Sequence, residues 1–93
     1  MTTYFDGLAL AHEFTLHGDT TLEARDLHEM QLYTILIRQD VEGGHELDWG
    51  NLSIKWVGGK EPELTRSPGG ADVLTFFYLD GQLHEVARSL DLK

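Results

Sequence analysis

"TTLEARDLHEMQLYTILI", residues 20–37, decides how the rest of the chain is read. At helical spacing, Thr20 followed by Glu23 fits a capping box, and Asp26 followed by Glu29 fits a second, later one. Leu22, Leu27 and Met30 would then face a core. This predicts a helix over Thr20–Leu32, starting near residue 21 or near residue 27. With the later start, Thr21–Ala24 becomes a short strand that folds back on Phe14–Leu16 through a turn at Gly18–Thr20. The end of the stretch changes character. Tyr33-Thr34-Ile35-Leu36-Ile37 is β-branched and aromatic, which restricts side chains in a helix and suits a pleated surface. It reads as a strand rather than as more helix.

Upstream, Leu8, Leu10, His12, Phe14 and Leu16 alternate with Ala9, Ala11, Glu13 and Thr15, which predicts a half-buried strand over Leu8–Leu16. Downstream, both prolines and most of the ten glycines fall from residue 43 onward, so the second half reads as strands and turns. Leu52, Ile54 and Trp56 alternate with Ser53, Lys55 and Val57, and Gly58-Gly59 closes that strand. Glu63–Arg66 reads as a short edge strand.

The clearest local signal is Asp80-Gly81 within "VLTFFYLDGQLHEVARS". A two-residue type I′ turn needs positive φ at both central positions, which Asp-Gly supplies. The implied register sets Leu79 opposite Gln82, Tyr78 opposite Leu83, Phe77 opposite His84 and Thr75 opposite Val86. One face carries Leu74, Phe76, Tyr78, Leu83 and Ala87, with Glu85 the exception. The other carries Val73, Thr75, Phe77, Leu79, His84, Val86 and Arg88. It is too apolar for an ordinary solvent face and calls for a cover. The expected fold is a single α+β domain over residues 1–93. About five mainly antiparallel strands would carry one helix packed on the sheet.

Sixteen acidic against seven basic residues give a net charge of −9. Direct binding to nucleic acid or to an anionic membrane needs a basic footprint, so neither is expected. A basic protein surface is the complementary partner. The N-terminal residues show no basic patch and no long apolar run, so no secretory signal is expected. There is no cysteine, which removes thiolate chemistry and disulfides and favours the cytoplasm.

Four histidines precede a glutamate: His12-Glu13, His28-Glu29, His45-Glu46 and His84-Glu85. These are metal-ligand types, but strand neighbours point to opposite faces. "HEFTLH" at 12–17 spaces its histidines five apart and is not the H-E-x-x-H pattern. His12 reads instead as a core or edge histidine. Ser53, Ser67 and Ser89 sit in no nucleophile elbow, and no phosphate-binding glycine loop is present. No metal, no cofactor and no catalysis are therefore expected. A small metal-binding or hydrolytic domain built on the His-Glu pairs is the third reading.

"GGHELDWGN", residues 43–51, remains. With Asp40 and Glu42 before it, four acids, counting Glu46 and Asp48, surround Trp49. Either the stretch is a solvated loop with Trp49 folded back on the core, or it is an exposed acidic loop with an aromatic anchor. In the second case Asp40, Glu42, Glu46, Asp48 and Trp49, extended by Glu61 and Glu63, bind a basic surface of a larger protein. The leading expectation is a small acidic inhibitor or adaptor whose carboxylates can stand in for phosphates. In size and charge alone the chain resembles small acidic phage proteins that block host defences, some anti-CRISPR proteins among them. The alternative is an assembly subunit, with Phe77, Leu79 and Val86 forming an oligomer face, for instance in a homodimer.

Overall fold

The computed structural model describes residues 1–50 and 52–92. Eight strands follow one another: β1 (Thr2–Asp6), β2 (Ala11–Leu16), β3 (Thr20–Arg25), β4 (Gln31–Gln39), β5 (Leu47–Asp48), β6 (Ile54–Lys55), β7 (Ala71–Leu79) and β8 (Gln82–Ser89). They form a three-stranded sheet, β1-β3-β5, and a five-stranded sheet, β2-β4-β7-β8-β6.

The predicted helix over Thr20–Leu32 is not there, and the α+β expectation is overturned. Among the described residues the only helical segment is a three-residue 3-10 turn, Val57–Gly59. Residues 20–25 are strand because their burial has period two: Thr20 and Leu22 are buried, whereas Thr21 and Glu23 are only half-buried. Asp26 and Met30 both take positive φ, which a helix does not allow, and the segment between them is a turn. The Tyr33 hydroxyl holds that turn from inside. It accepts from the His28 N–H at 2.9 Å and donates to the Gly7 carbonyl at 3.3 Å. Tyr33–Ile37 is strand, as its composition predicts, and extends to Gln39.

Strand direction also differs from expectation. From β1 to β6 the chain crosses between the two sheets at every connection. Strands that neighbour one another in a sheet are then two apart in sequence and run the same way. Hence β1–β3, β2–β4 and β3–β5 are parallel, and β6 also pairs with β8 in parallel. Only β4–β7 and β7–β8 are antiparallel. Thr21–Ala24 therefore pairs with β1 and not with Phe14–Leu16. The predicted strand at Leu8 begins only at Ala11, that at Leu52–Trp56 shrinks to two residues, and Glu63–Arg66 forms none.

The Asp80-Gly81 turn is as read: φ is 54° and 75° at the two positions. The register matches as far as Phe76, opposite Glu85, where a bulge intervenes and sets Thr75 opposite Ala87. Beyond the bulge the faces swap. Ala87 joins the outer face, and Arg88 turns inward to Glu85. Glu85, the exception on the core face, is thereby paired.

The core lies between the sheets. Phe5 and Leu22 from the small sheet meet Leu16, Tyr33, Ile35, Ile37, Leu74, Phe76 and Leu83 from the large one. His12 sits at its margin. Its ring stacks on Phe14 at 5.7 Å, and its Nε2 lies 3.0 Å from the Ala9 carbonyl.

Candidate functional site

The short strand β5 is the outer strand of the small sheet, and a cleft opens on each side of it. One, of about 540 Å³, is lined by His45, Glu46, Leu47, Trp49 and residues 61–64 and 66. The other, of about 460 Å³, is lined by Asp19, Thr20, Thr21, Glu46, Leu47, Asp48, Trp49 and Glu61. Five carboxylates border the pair: Asp19, Glu46, Asp48, Glu61 and Glu63. The one formal base is Arg66, 3.0 Å from Glu46 with both side chains well exposed. Such a pair contributes little to stability.

The walls are held by backbone-directed hydrogen bonds. Thr20 N–H donates to the Glu46 carbonyl, and Glu46 N–H donates to Asp19 Oδ1, each at 2.9 Å. Those two bonds bring the Gly18–Thr20 turn against β5. The buried Gln39 amide donates to the carbonyls of His45 at 2.8 Å and Thr65 at 3.2 Å, and accepts from His45 N–H at 3.1 Å. One side chain thus joins the loop before β5 to the segment carrying Glu61 and Glu63. Gly43 is required here. Its φ is +70°, and a Cβ would stand 2.6 Å from the Arg66 carbonyl oxygen and 2.7 Å from the Pro68 nitrogen. Outside the clefts, Asp72 is buried and accepts from Thr65 N–H and Thr65 Oγ1, each at 2.7 Å, and from Asp91 N–H at 2.8 Å.

The structure divides the residues the sequence grouped. Glu46, Asp48, Glu61 and Glu63 border the clefts. Glu42 is exposed on the preceding loop. Asp40 turns onto its own loop: Oδ1 accepts from the N–H groups of Glu42 at 3.0 Å and Gly43 at 3.1 Å, with His45 Nε2 at 3.0 Å. Burial acts to raise its pKa. The Gly43 and Glu42 N–H groups and the His45 ring, by hydrogen bond and by charge, outweigh that and hold it below the ordinary value. Asp48 Oδ1 accepts from Gly50 N–H at 2.8 Å. Asn51, the last residue of the quoted stretch, lies outside the described residues.

Trp49 is not a protruding anchor. It is only 7% exposed and meets Trp56 and Phe76 edge-on, with ring centroids 5.0 Å and 6.2 Å away. It forms the floor shared by the two clefts. Sequence reasoning missed Asp19, which reaches the site through the strand crossing and has no local signal.

Phe77, Leu79 and Val86 lie on the outer face of the large sheet. Phe77 and Leu79 are half-buried, and Val86 is 52% exposed. No helix covers this face among the described residues. Among those residues, too, no group of three or more His, Asp or Glu is placed to hold a metal ion. Among the described residues, no helix is long and apolar enough to cross a membrane. No family model, no curated protein and no solved structure matches the chain.

Proposed function

We propose that the protein is a non-catalytic binding module, an inhibitor or adaptor. Its partner is a larger protein that offers a basic segment or surface to the clefts beside β5. The observation that carries this reading is the charge balance there: five carboxylates and one arginine around a shared floor of Leu47 and Trp49. Opposite charge steers such an encounter, and the apolar floor receives the aliphatic stems of lysine or arginine. A surface shaped to hold nucleic acid is one such target, because carboxylates along a sheet edge can take the places of phosphates. The innermost acids do not suggest catalysis. Asp72, Glu85 and Asp40 are each occupied by hydrogen bonds from the chain itself. A cysteine-free chain suits a reducing compartment, and we place its action in the cytoplasm.

The test is a titration with an arginine- and lysine-rich peptide in a Trp56→Phe background, with Trp49 emission as the reporter. Binding that weakens steeply with salt and shifts that emission is expected. Tight binding that ignores Glu61→Gln and Glu63→Gln, or no binding at low salt, overturns the proposal.

A further inference from the structure

The outer face of the large sheet has an internal pattern. Its rows run across the strands. Leu32, Phe77 and His84 are cross-strand neighbours in one row, and Leu36 and Val73 in another. Between them lies a row of small side chains: Ala11, Thr34, Thr75 and Ala87. The two threonine hydroxyls lie 3.5 Å apart at its centre. The bulge in β7–β8 helps make this row, because it brings Ala87 and not Val86 opposite Thr75. The face is therefore two ridges flanking a trough.

Its charge is unlike that of the rest of the molecule. Among the described residues, the ionised side chains within these three rows are Glu13, at the β2 margin opposite Leu36, and Lys55, at the other margin opposite His84. Glu13 is paired with Arg38 at 3.3 Å. The charge of −9 is thus carried elsewhere. Leu32 is 54% exposed and Val86 52%.

We infer that this face is the contact of a symmetric dimer of the chain. A two-fold axis running across the strands, between the Thr75 and Phe77 rows, lays the Leu32–Phe77 ridge of each copy in the trough of the other. The same patch serves both partners, so the contact closes at two copies. Two strongly acidic molecules can approach here because the one acid in these rows is paired with Arg38 and the other ionised side chain is a lysine. Strands of about nine residues in three or four neighbours give a face on the order of 30 × 20 Å. That projected ~600 Å² is comparable with the roughly 800 Å² each partner contributes to a standard interface. The clefts beside β5 belong to the other layer, so the dimer would carry two pairs of them facing outward.

Sedimentation equilibrium on the whole chain tests this, from about 1 μM to about 1 mM. A reversible species of twice 10.5 kDa is expected. Leu32→Lys and Val86→Lys both replace exposed side chains and put two like charges into the contact. Each is expected to weaken dimerisation at least about 100-fold while circular dichroism and cooperative melting stay as in the parent. Thr75→Ser, which keeps the trough, is expected to leave the dimer in place and guards against a variant that misfolds. A 10.5 kDa species throughout overturns the inference. So does a higher oligomer, or a dimer indifferent to both lysines. Peptide binding at the clefts is read separately and can fail without affecting this result.

Discussion

Asp72 and Glu85 on one side, and Glu61 and Glu63 on the other, are chemically alike and are put to opposite uses. Asp72 is buried with three donors converging on it, two from Thr65 and one from the Asp91 backbone. Glu85 is buried with the Val57 N–H at 2.9 Å and the Arg88 guanidinium against it. Glu61 and Glu63 are exposed along a cleft. A carboxylate is expensive to bury, so the fold buries one only where N–H and O–H groups replace water. Among the described residues, no buried side-chain nitrogen or oxygen lacks a partner. The charge of −9 is therefore not a uniform coat. Part of it fastens loops, and Glu61 and Glu63, which make no hydrogen bond or ion pair among the described residues, stand beside β5, where a partner can use them.

Removing an inward acid should be costly, and Glu85→Ala should show the largest loss. It leaves Arg88 partly buried without its carboxylate, and the Val57 N–H without an acceptor. The expected cost is about 3–5 kcal/mol, by urea unfolding. Glu85→Gln should cost less, because an amide oxygen still accepts. A loss below about 1 kcal/mol would put Glu85 in the same class as Glu61 and break the comparison. Asp72→Ala should follow at about 2–3 kcal/mol, since its donors are neutral. Asp72→Asn should fall between the parent and Asp72→Ala. Amide exchange at Thr65 should rise in both.

Asp40 stands between the two classes, half-buried on the loop before β5. Its pKa is held below the ordinary value in the fold. The stability it contributes is thus present above the unfolded value of about 3.9 and is lost as pH falls through the lower, folded one. Asp40→Asn should therefore flatten the acid limb of stability against pH and change little at neutrality relative to Glu85→Ala. An unchanged acid limb would assign that limb to other carboxylates.

How much of this was legible follows from how local each cause is. The β7–β8 hairpin was legible because Asp80-Gly81 carries its own turn geometry. The strand at Tyr33–Ile37 was legible because its side chains fit little else. The helix at Thr20–Leu32 was misread. Two capping-box patterns arise readily in a chain with sixteen acids, and they outweighed the period-two placing of Thr20 and Leu22. Leu22, Leu27 and Met30, spaced five and three, made a poor helical stripe to begin with. The crossing between sheets was not legible, since alternation tells which side of a strand is buried and not which strand lies beside it. For the same reason Asp19 was missed, while Glu46, Asp48, Glu61 and Glu63, grouped in the sequence by charge and nearness, border the same two clefts. The bulge that swaps Ala87 and Arg88 has no glycine to announce it.

Glu29 sharpens the comparison, because it is exposed and yet occupied. Its carboxylate accepts from Asp80 N–H at 2.9 Å and Gly81 N–H at 3.1 Å, gripping the hairpin turn. If donors and not burial alone decide the role of an acid, Glu29→Ala should cost about 1 kcal/mol in thermal or urea unfolding. No effect would mean that burial is the deciding variable.

The smallest effect on folding is expected where the binding effect is largest. Glu61→Gln and Glu63→Gln keep side-chain shape and remove charge from a crowded acidic rim. Unfolding free energy should move by no more than about 0.5 kcal/mol, as for surface changes away from special contacts, and upward if repulsion across the rim dominates. With a basic peptide as ligand the same pair should slow association and flatten its dependence on salt, because exposed charges act on the encounter and are screened. Dissociation should change less. Stopped-flow mixing at several salt concentrations separates the two rates. A double variant that unfolds easily would show these acids to be fastened like Asp72. One that is stable and binds as the parent does would remove the cleft, and with it the reason for calling the outward acids functional.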